Sequence, residues 1–351
     1  MGKLDWRELY AANQEQIQAA LGTSGAIAPG LPTAPARGLA RVLLPAAGRF
    51  TLRPGGHRPL IYVPDRLDPG RPAPLVCMLH GCTQDPATFA AATLMNDAAQ
   101  RHGFVVVYPG QDRASNPQGC WNWFLPDHQR RGAGEPAAIA RVVCDLIDAN
   151  DPCTIDPDRV FVAGLSSGGA MALILAVCYP DLFAAVAVHS GLPYRSATDV
   201  ASALDAMAGR SRSADPQGHE VHAAMGDFAR PVPSIVIHGS ADRTVAPVNA
   251  IELLRQSMSA NHLAAPNSCD HDVSHPTSSS RSRVDGGHAY TRSQWIDERG
   301  TLMHALLEVQ GLGHAWSGGA SGGSYTDPRG PSATEAICAF FSLTTAKASL
   351  D

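Results

Sequence analysis

Apolar residues in this chain fall into short dense blocks and longer interrupted ones, set apart by glycine, proline and polar runs. The short blocks are Leu75 to Leu79, Phe104 to Tyr108, Val160 to Ala163, Ala184 to His189, Ser234 to His238 and Met303 to Val309. They are apolar nearly throughout, as strands covered on both faces are. Two further runs, Arg49 to Leu52 and Leu60 to Val63, precede them and also predict strands. The longer blocks, Thr88 to Arg101, Glu135 to Asn150, Gly169 to Tyr179 and Ser332 to Leu343, predict helices. Strand and helix alternate, which predicts an α/β fold with a doubly wound, mostly parallel sheet flanked by helices. Such a sheet binds its ligands outside the carboxyl ends of its strands, so candidate chemistry is sought there.

Departures from the alternation define the rest of the organisation. Residues 192–230 and 265–287 are polar and carry glycine and serine, predicting a small lid and a loop near the site. Leu4, Leu9, Ile17 and Leu21 have helical spacing and a Gly/Ala/Pro-rich stretch follows, so residues 1–45 read as a helix and an arm. Residues 46–345 are then a single catalytic domain. A chain of 351 residues, 44% hydrophobic, has ample material for one large core.

Composition narrows the partners. A formal net charge of -5 makes no field that would recruit a nucleic acid or an anionic membrane, so neither is expected. No apolar run approaches the roughly 20 residues of a membrane span. Lys3, Asp5, Arg7 and Glu8 stand where a secretory signal needs an apolar core, so no signal peptide is expected in these residues. Eight cysteines include no C-x-x-C pair, and Cys269, His271 and His275 lack a matching second pair, so no metal is expected. Cys82 and Cys120 each lie in a loop after a strand-like run, where two loops at one sheet edge can meet.

The motif G-x-S-x-G occurs twice, as Gly164-Leu165-Ser166-Ser167-Gly168 and as Gly319-Ala320-Ser321-Gly322-Gly323. In a chain with 33 glycines the pattern alone is weak. Only Ser166 is preceded by a predicted strand and followed by a predicted helix, the strand-turn-helix setting of an activated nucleophile. A serine hydroxyl needs a positioned imidazole to take its proton, and the imidazole needs an acid to orient it. His314, in the turn after the strand ending at Val309, and Asp242, just after the strand ending at His238, both fall at carboxyl ends. His304 lies within a strand and reads as structural, while His262, His271, His275 and His288 lie in or near a polar insertion. Leu79-His80-Gly81-Cys82-Thr83 ends a strand beside that of the nucleophile, so the backbone N–H groups of Cys82 and Ser167 are candidate oxyanion donors. Trp121 and Trp123, in an aromatic loop, and Trp316, near His314, are candidate substrate-binding rings.

Together, Leu79 to Gln84, Gly119-Cys120-Trp121-Asn122-Trp123-Phe124, Gly164 to Met171, His238 to Asp242 and Gly313-His314-Ala315-Trp316 resemble the polyhydroxybutyrate depolymerase esterase family over Pro59 to Phe341. The resemblance implies an α/β-hydrolase acting on polyester, feruloyl or acetyl esters, small or polymeric, without a cofactor, in a family with many secreted members. It implies Ser166, Asp242 and His314 as triad, the N–H groups of Cys82 and Ser167 as oxyanion hole, and a Cys82–Cys120 disulfide. The N-terminal arm, the lack of a polymer-binding module and the insertion near Cys269 depart from the family pattern. Two other readings stay open: a serine peptidase of the same fold, and a non-catalytic binding protein.

Overall fold

The computed structural model describes residues 49–52, 59–65, 67–68, 70–149, 153–210, 218–266 and 272–343. The predicted N-terminal helix and arm lie outside the described residues. One ten-stranded sheet organises the rest, in the spatial order β1-β2-β4-β3-β5-β6-β7-β10-β9-β8. Its strands are β1 Arg49–Leu52, β2 Leu60–Val63, β3 Ala73–Leu79, β4 Val105–Tyr108, β5 Ile155–Leu165, β6 Ala185–His189, β7 Ser234–Gly239, β8 Ser278–Arg283, β9 Ala289–Ile296 and β10 Leu302–Val309. From β4 to β10 every pairing is parallel, and antiparallel strands close both edges. The chain winds outward in one direction through β3 and β4 and in the other through β5, β6, β7 and β10. That reversal between β3 and β5 opens a crevice at the strands' carboxyl ends.

The dense apolar runs are the central strands because both sheet faces are covered. On one face α3 (Gly134–Ala149) and α4 (Ser167–Cys178) pack on Leu75, Cys77, Val160 and Val162. The other face carries Phe89, Met95, Phe104, Phe161 and Ile337, from α1 (Pro86–Thr93), α2 (Met95–His102), α8 (Ala333–Phe340) and the strands. Every residue of α4 is buried, so it behaves as a core element between sheet and outer helices.

Three expectations are corrected. The predicted helix Thr88 to Arg101 is two helices, broken at Leu94 with φ 58°. Tertiary partners take the carbonyls of its last turn: Ala320 N–H donates to Ala92 O at 2.9 Å, and the Thr334 hydroxyl donates to Thr93 O. The expected loop 265–287 contains β8, an edge strand paired with β9. Exposed throughout and reading Ser-Ser-Ser-Arg-Ser-Arg, β8 has no core face to impose an alternation. The predicted lid 192–230 contributes α5 (Val200–Met207) and α6 (His219–Met225), and α6 buries Val221 and Met225 in the cluster with α4 and α7 (Val248–Ala264). That helix belongs to the outer layer. Before it, Gln256 brackets Tyr194, accepting from its N–H at 2.8 Å and donating to its carbonyl at 3.0 Å.

Candidate active site

Ser166 sits where β5 turns sharply into α4, with φ 58° and ψ -121° and only 8% exposed. An L-residue adopts that conformation at a cost of about 1–3 kcal/mol, so the surroundings must enforce it. Two glycines make it sterically possible: a Cβ on Gly164 would lie 2.2 Å from Gly168 O, and one on Gly168 2.1 Å from Leu79 O. The Ser166 N–H donates to His189 O at 2.9 Å, tying the turn to the end of β6. Of the seven non-glycine residues at positive φ among those described, Thr83, Ser166, Ser190 and Tyr325 cluster around this crevice. Strain is concentrated here.

β7 and β10 bring the second group together. Val309 pairs with Gly239, so the turns that follow leave the sheet side by side. His314 Nδ1 lies 2.8 Å from Asp242 Oδ2, and the carboxylate's other oxygen accepts from the N–H groups of Thr244 at 3.0 Å and Val245 at 2.9 Å. Burial alone would raise the Asp242 carboxyl, but the neighbouring His314, its hydrogen bond and His238 outweigh that and pull it down to about 2. Asp242 is therefore ionised and faces the Nδ1 of His314, leaving Nε2 free of that contact. His238 packs behind, its Nε2–H donating to Val245 O at 2.9 Å. Burial holds its imidazole below the ordinary range despite Asp242.

The turn after β3 is locked. Gly81 N–H donates to Gln84 Oε1 at 3.0 Å, Gln84 N–H to Gly81 O at 3.3 Å, and Thr83 N–H to Gln118 O at 2.7 Å. Cys82 N–H is the amide of this turn not taken by those bonds. Gly81 approaches the serine so closely that a Cβ there would be 3.5 Å from Ser166 Cβ. Cys82 and Cys120 form a disulfide across 38 residues. Closing a loop of that length stabilises by about 4 kcal/mol in the chain-entropy account. The Ser167 hydroxyl donates toward Cys82 Sγ at 3.5 Å, so the cross-link abuts the elbow itself.

The aromatic candidates are all buried in the core. Trp121 is fully buried, its indole N–H donating to His80 O at 3.1 Å, and Trp316 is 1% exposed, stacked on His189 and donating to the Thr334 hydroxyl at 3.1 Å. The expectation that these two line a substrate cleft is corrected, because each satisfies its polar handle inside the core. The same expectation for Trp123 is corrected too: it is 5% exposed, lies in the core cluster with Trp121 and packs edge-on against Phe124. His304 is structural, sandwiched between Ser234 Oγ at 2.8 Å and Asn261 Nδ2 at 3.1 Å. His275 pairs with Asp272 at 2.7 Å, and Cys269 and His271 lie outside the described residues.

Other residues of the site escaped the sequence reading. His189 accepts from Ser317 N–H at 3.1 Å through Nε2, anchoring the segment after His314, and burial drives its pKa down to about 3. It ends a strand, the position that singled out His314, and that signal was available. Glu135 is buried, and its carboxylate accepts from the Asn122 N–H and the Asn122 and Gln111 side chains, holding the Cys120 loop. Tyr325 reaches the crevice from the glycine-rich loop, with no local signal to mark it.

A serine elbow at the centre of a mostly parallel sheet, with an aspartate and its histidine two and three strands along the same edge, defines an α/β-hydrolase. An acetyl xylan esterase from Aspergillus awamori superposes with a TM-score of 0.63 at 20% identity, over 85% of this chain and 100% of that one. The chain belongs to the esterase PHB depolymerase family, whose profile matches residues 60–269. It is 40% identical over 222 residues to the poly(3-hydroxyalkanoate) depolymerase C of Paucimonas lemoignei, covering 61% of this chain and 50% of that protein. It is 33% identical over 204 residues to feruloyl esterase B of Thermothelomyces thermophilus, covering 56% and 67% respectively. The chain thus spans about half the length of the depolymerase it matches.

Proposed function

We propose that this protein is a serine carboxylic ester hydrolase acting through an acyl-enzyme, with Ser166 as nucleophile, His314 as general base and acid, and Asp242 as the group that orients and stabilises the imidazolium. The observation that carries the reading is the part-buried His314–Asp242 contact of 2.8 Å at the sheet edge where Ser166 is held in a strained elbow. In this mechanism His314 Nε2 takes the Ser166 hydroxyl proton as Oγ attacks the ester carbonyl carbon. The resulting oxyanion is held by the N–H groups of Cys82 and Ser167, the latter at the amino end of α4 where the helix dipole favours negative charge. Collapse expels the alcohol, which leaves with the proton from His314. Water, deprotonated by the same imidazole, then attacks the acyl-serine and releases the acid.

Polyester, feruloyl and short-chain acyl esters are the substrate classes put forward, since relatives named for depolymerase, feruloyl esterase and acetylxylan esterase activity share this sequence pattern. The cross-link between Cys82 and Cys120 favours residence in an oxidising compartment. Among the described residues no helix is long and apolar enough to cross a membrane. The test is a hydrolysis panel of p-nitrophenyl acetate, methyl ferulate, hydroxybutyrate oligomers and a peptide anilide, run with fluorophosphonate labelling and peptide mapping. Ester turnover with the label on Ser166 is expected. Turnover of the anilide alone, or a label elsewhere, overturns the reading.

A further inference from the structure

We infer that Tyr325 forms the wall of the subsite for the alcohol portion of the ester, an inference that rests on the hydrolase reading above. Tyr325 is 42% exposed, although Trp121, Trp316, Tyr62 and Tyr108 are all buried. It stands edge-on to His314, with centroids 6.4 Å apart and planes at 80°. Its hydroxyl lies 3.3 Å from Thr83 Oγ1, on the residue that follows Cys82. One side chain therefore spans the gap between the histidine and the turn offered as oxyanion donor.

Its backbone is fixed for that task. Tyr325 has φ 51°, a conformation a bulky L-residue adopts only when its surroundings impose it. The imposition comes from both sides: Trp316 N–H donates to Tyr325 O at 2.7 Å, and Gln84 Nε2 donates to Ser324 O at 2.9 Å. The first bond comes from the segment carrying His314 and the second from the turn carrying Cys82. An exposed aromatic ring held in a strained backbone by the two halves of a site is a surface built to meet a ligand.

Geometry selects the side of the ester. The imidazole delivers its proton to the departing alkoxide, so a ring against His314 faces the leaving group rather than the acyl chain bonded to Ser166. Its apolar face then favours cyclic or aromatic alcohols, such as sugar or phenolic moieties, over short alkyl ones. After acylation the alcohol is gone, so the ring acts on the first half-reaction and little on the second.

The test uses two series of esters on the intact chain. Ethyl, benzyl and 1-naphthyl acetates share one acyl-enzyme and vary the alcohol, while methyl acetate, butyrate and hexanoate vary the acyl group. Tyr325→Asn removes the ring with a residue that tolerates positive φ, and Tyr325→Phe keeps the ring without the hydroxyl. In Tyr325→Asn, kcat/KM is expected to fall about tenfold for benzyl and naphthyl acetates and about twofold for ethyl acetate, with pre-steady-state deacylation slowed less than acylation. Tyr325→Phe should stay within about threefold of the parent throughout, and thermal unfolding of both variants checks that they fold. A loss that grows with acyl length, a loss equal across the alcohols, or a Phe variant as impaired as Asn overturns the subsite. A parent chain that turns over none of these acetates sinks the hydrolase reading and the subsite with it, whereas turnover with a flat Tyr325→Asn profile sinks the subsite alone.

Discussion

Two segments of this protein spell the same five-residue pattern and have opposite structures. Gly164 to Gly168 is buried between a strand and a helix, with its serine at φ 58° and 8% exposed. Gly319 to Gly323 belongs to a surface loop between Trp316–Ser317 and Thr326–Asp327, and its Ser321 is exposed. In the first, each flanking glycine is required because backbone oxygens stand 2.1–2.2 Å from where a Cβ would go. In the second, a Cβ on Gly319 would lie 2.6 Å from Ala92 O, but one on Gly323 would come no nearer than 3.0 Å to the Thr326 hydroxyl, and one on Gly322, beside the serine, would meet nothing within 4 Å. The pattern acquires chemical meaning only where the fold drives strand, turn and helix into contact. The second loop nonetheless serves the first, since it carries Tyr325 to the rim of the crevice.

The sharpest way to break this comparison is to remove each serine. Ser166→Ala is expected to lower kcat by about a million-fold, while Ser321→Ala stays within about twofold. His314→Ala should match Ser166→Ala, Asp242→Asn should cost on the order of ten-thousand-fold, and the Ser166/His314 double variant should be no worse than either single one. Steady-state ester hydrolysis by folded variants measures all five. Multiplicative losses in the double variant would falsify a shared mechanism.

A second contrast concerns rigidity, because the elbow is buttressed by a disulfide and the loop of Ser321 is not. Reduction, or Cys120→Ser, is expected to lower kcat by about 10- to 100-fold as the Cys82 amide loses its fixed position, and to cost about 4 kcal/mol of stability. Turnover and denaturant unfolding with and without reductant report both. Full activity after verified reduction would show that the hydrogen bonds of the turn suffice.

The glycines extend the comparison to stability. Gly168→Ala should destabilise by at least about 3 kcal/mol, since its methyl collides with Leu79 O, a backbone atom that cannot move cheaply. Gly322→Ala, at φ 73° in open space, should cost only about 1–2 kcal/mol. Equal costs in chemical denaturation would mean that the crowding at the elbow relaxes more easily than its geometry implies.

A further expected effect is on acid stability. Burial depresses His189 and His304 from 6.5 to about 3, so each binds its proton more readily unfolded, and their contribution is complete above pH 6.5 and lost as pH falls toward 3. Asp242, lowered from 3.8 to about 2, adds roughly 2 kcal/mol that is present above pH 3.8 and lost between there and 2. Asp242→Asn should therefore make the fall in stability between pH 4 and 3 shallower without abolishing it, since both histidines still take up protons there on unfolding, and should leave the fall between pH 6 and 4 in place. Urea unfolding across pH 3 to 7 measures both segments.

How much of this was legible depends on what a residue's role requires. The parallel strands were readable because burial on both faces demands apolar residues at every position, and each dense run marks a central strand. The edge hairpin was not, since β8 is exposed on both faces and leaves no periodic imprint. The predicted single helix from Thr88 to Arg101 was broken by partners more than 200 residues away, Ala320 and Thr334. Trp121 and Trp316 misled for a related reason: an aromatic residue in a loop has the same local sequence whether its ring faces a cleft or a core.

Sequence alone determined the alternation of strand and helix, the elbow serine with its small flanking residues, and the strand-end positions of Asp242 and His314. Those features are short-range, because the identity of the residues next to a strand end states what the turn must do. Tertiary structure alone decided that His314 meets Asp242 across 72 positions, that Glu135 holds the Cys120 loop, that His189 anchors the segment after His314, and that Tyr325 spans from His314 to Thr83. Each of those depends on the order in which the strands assemble, and strand order is set by packing across the whole sheet rather than by any residue's neighbours in sequence.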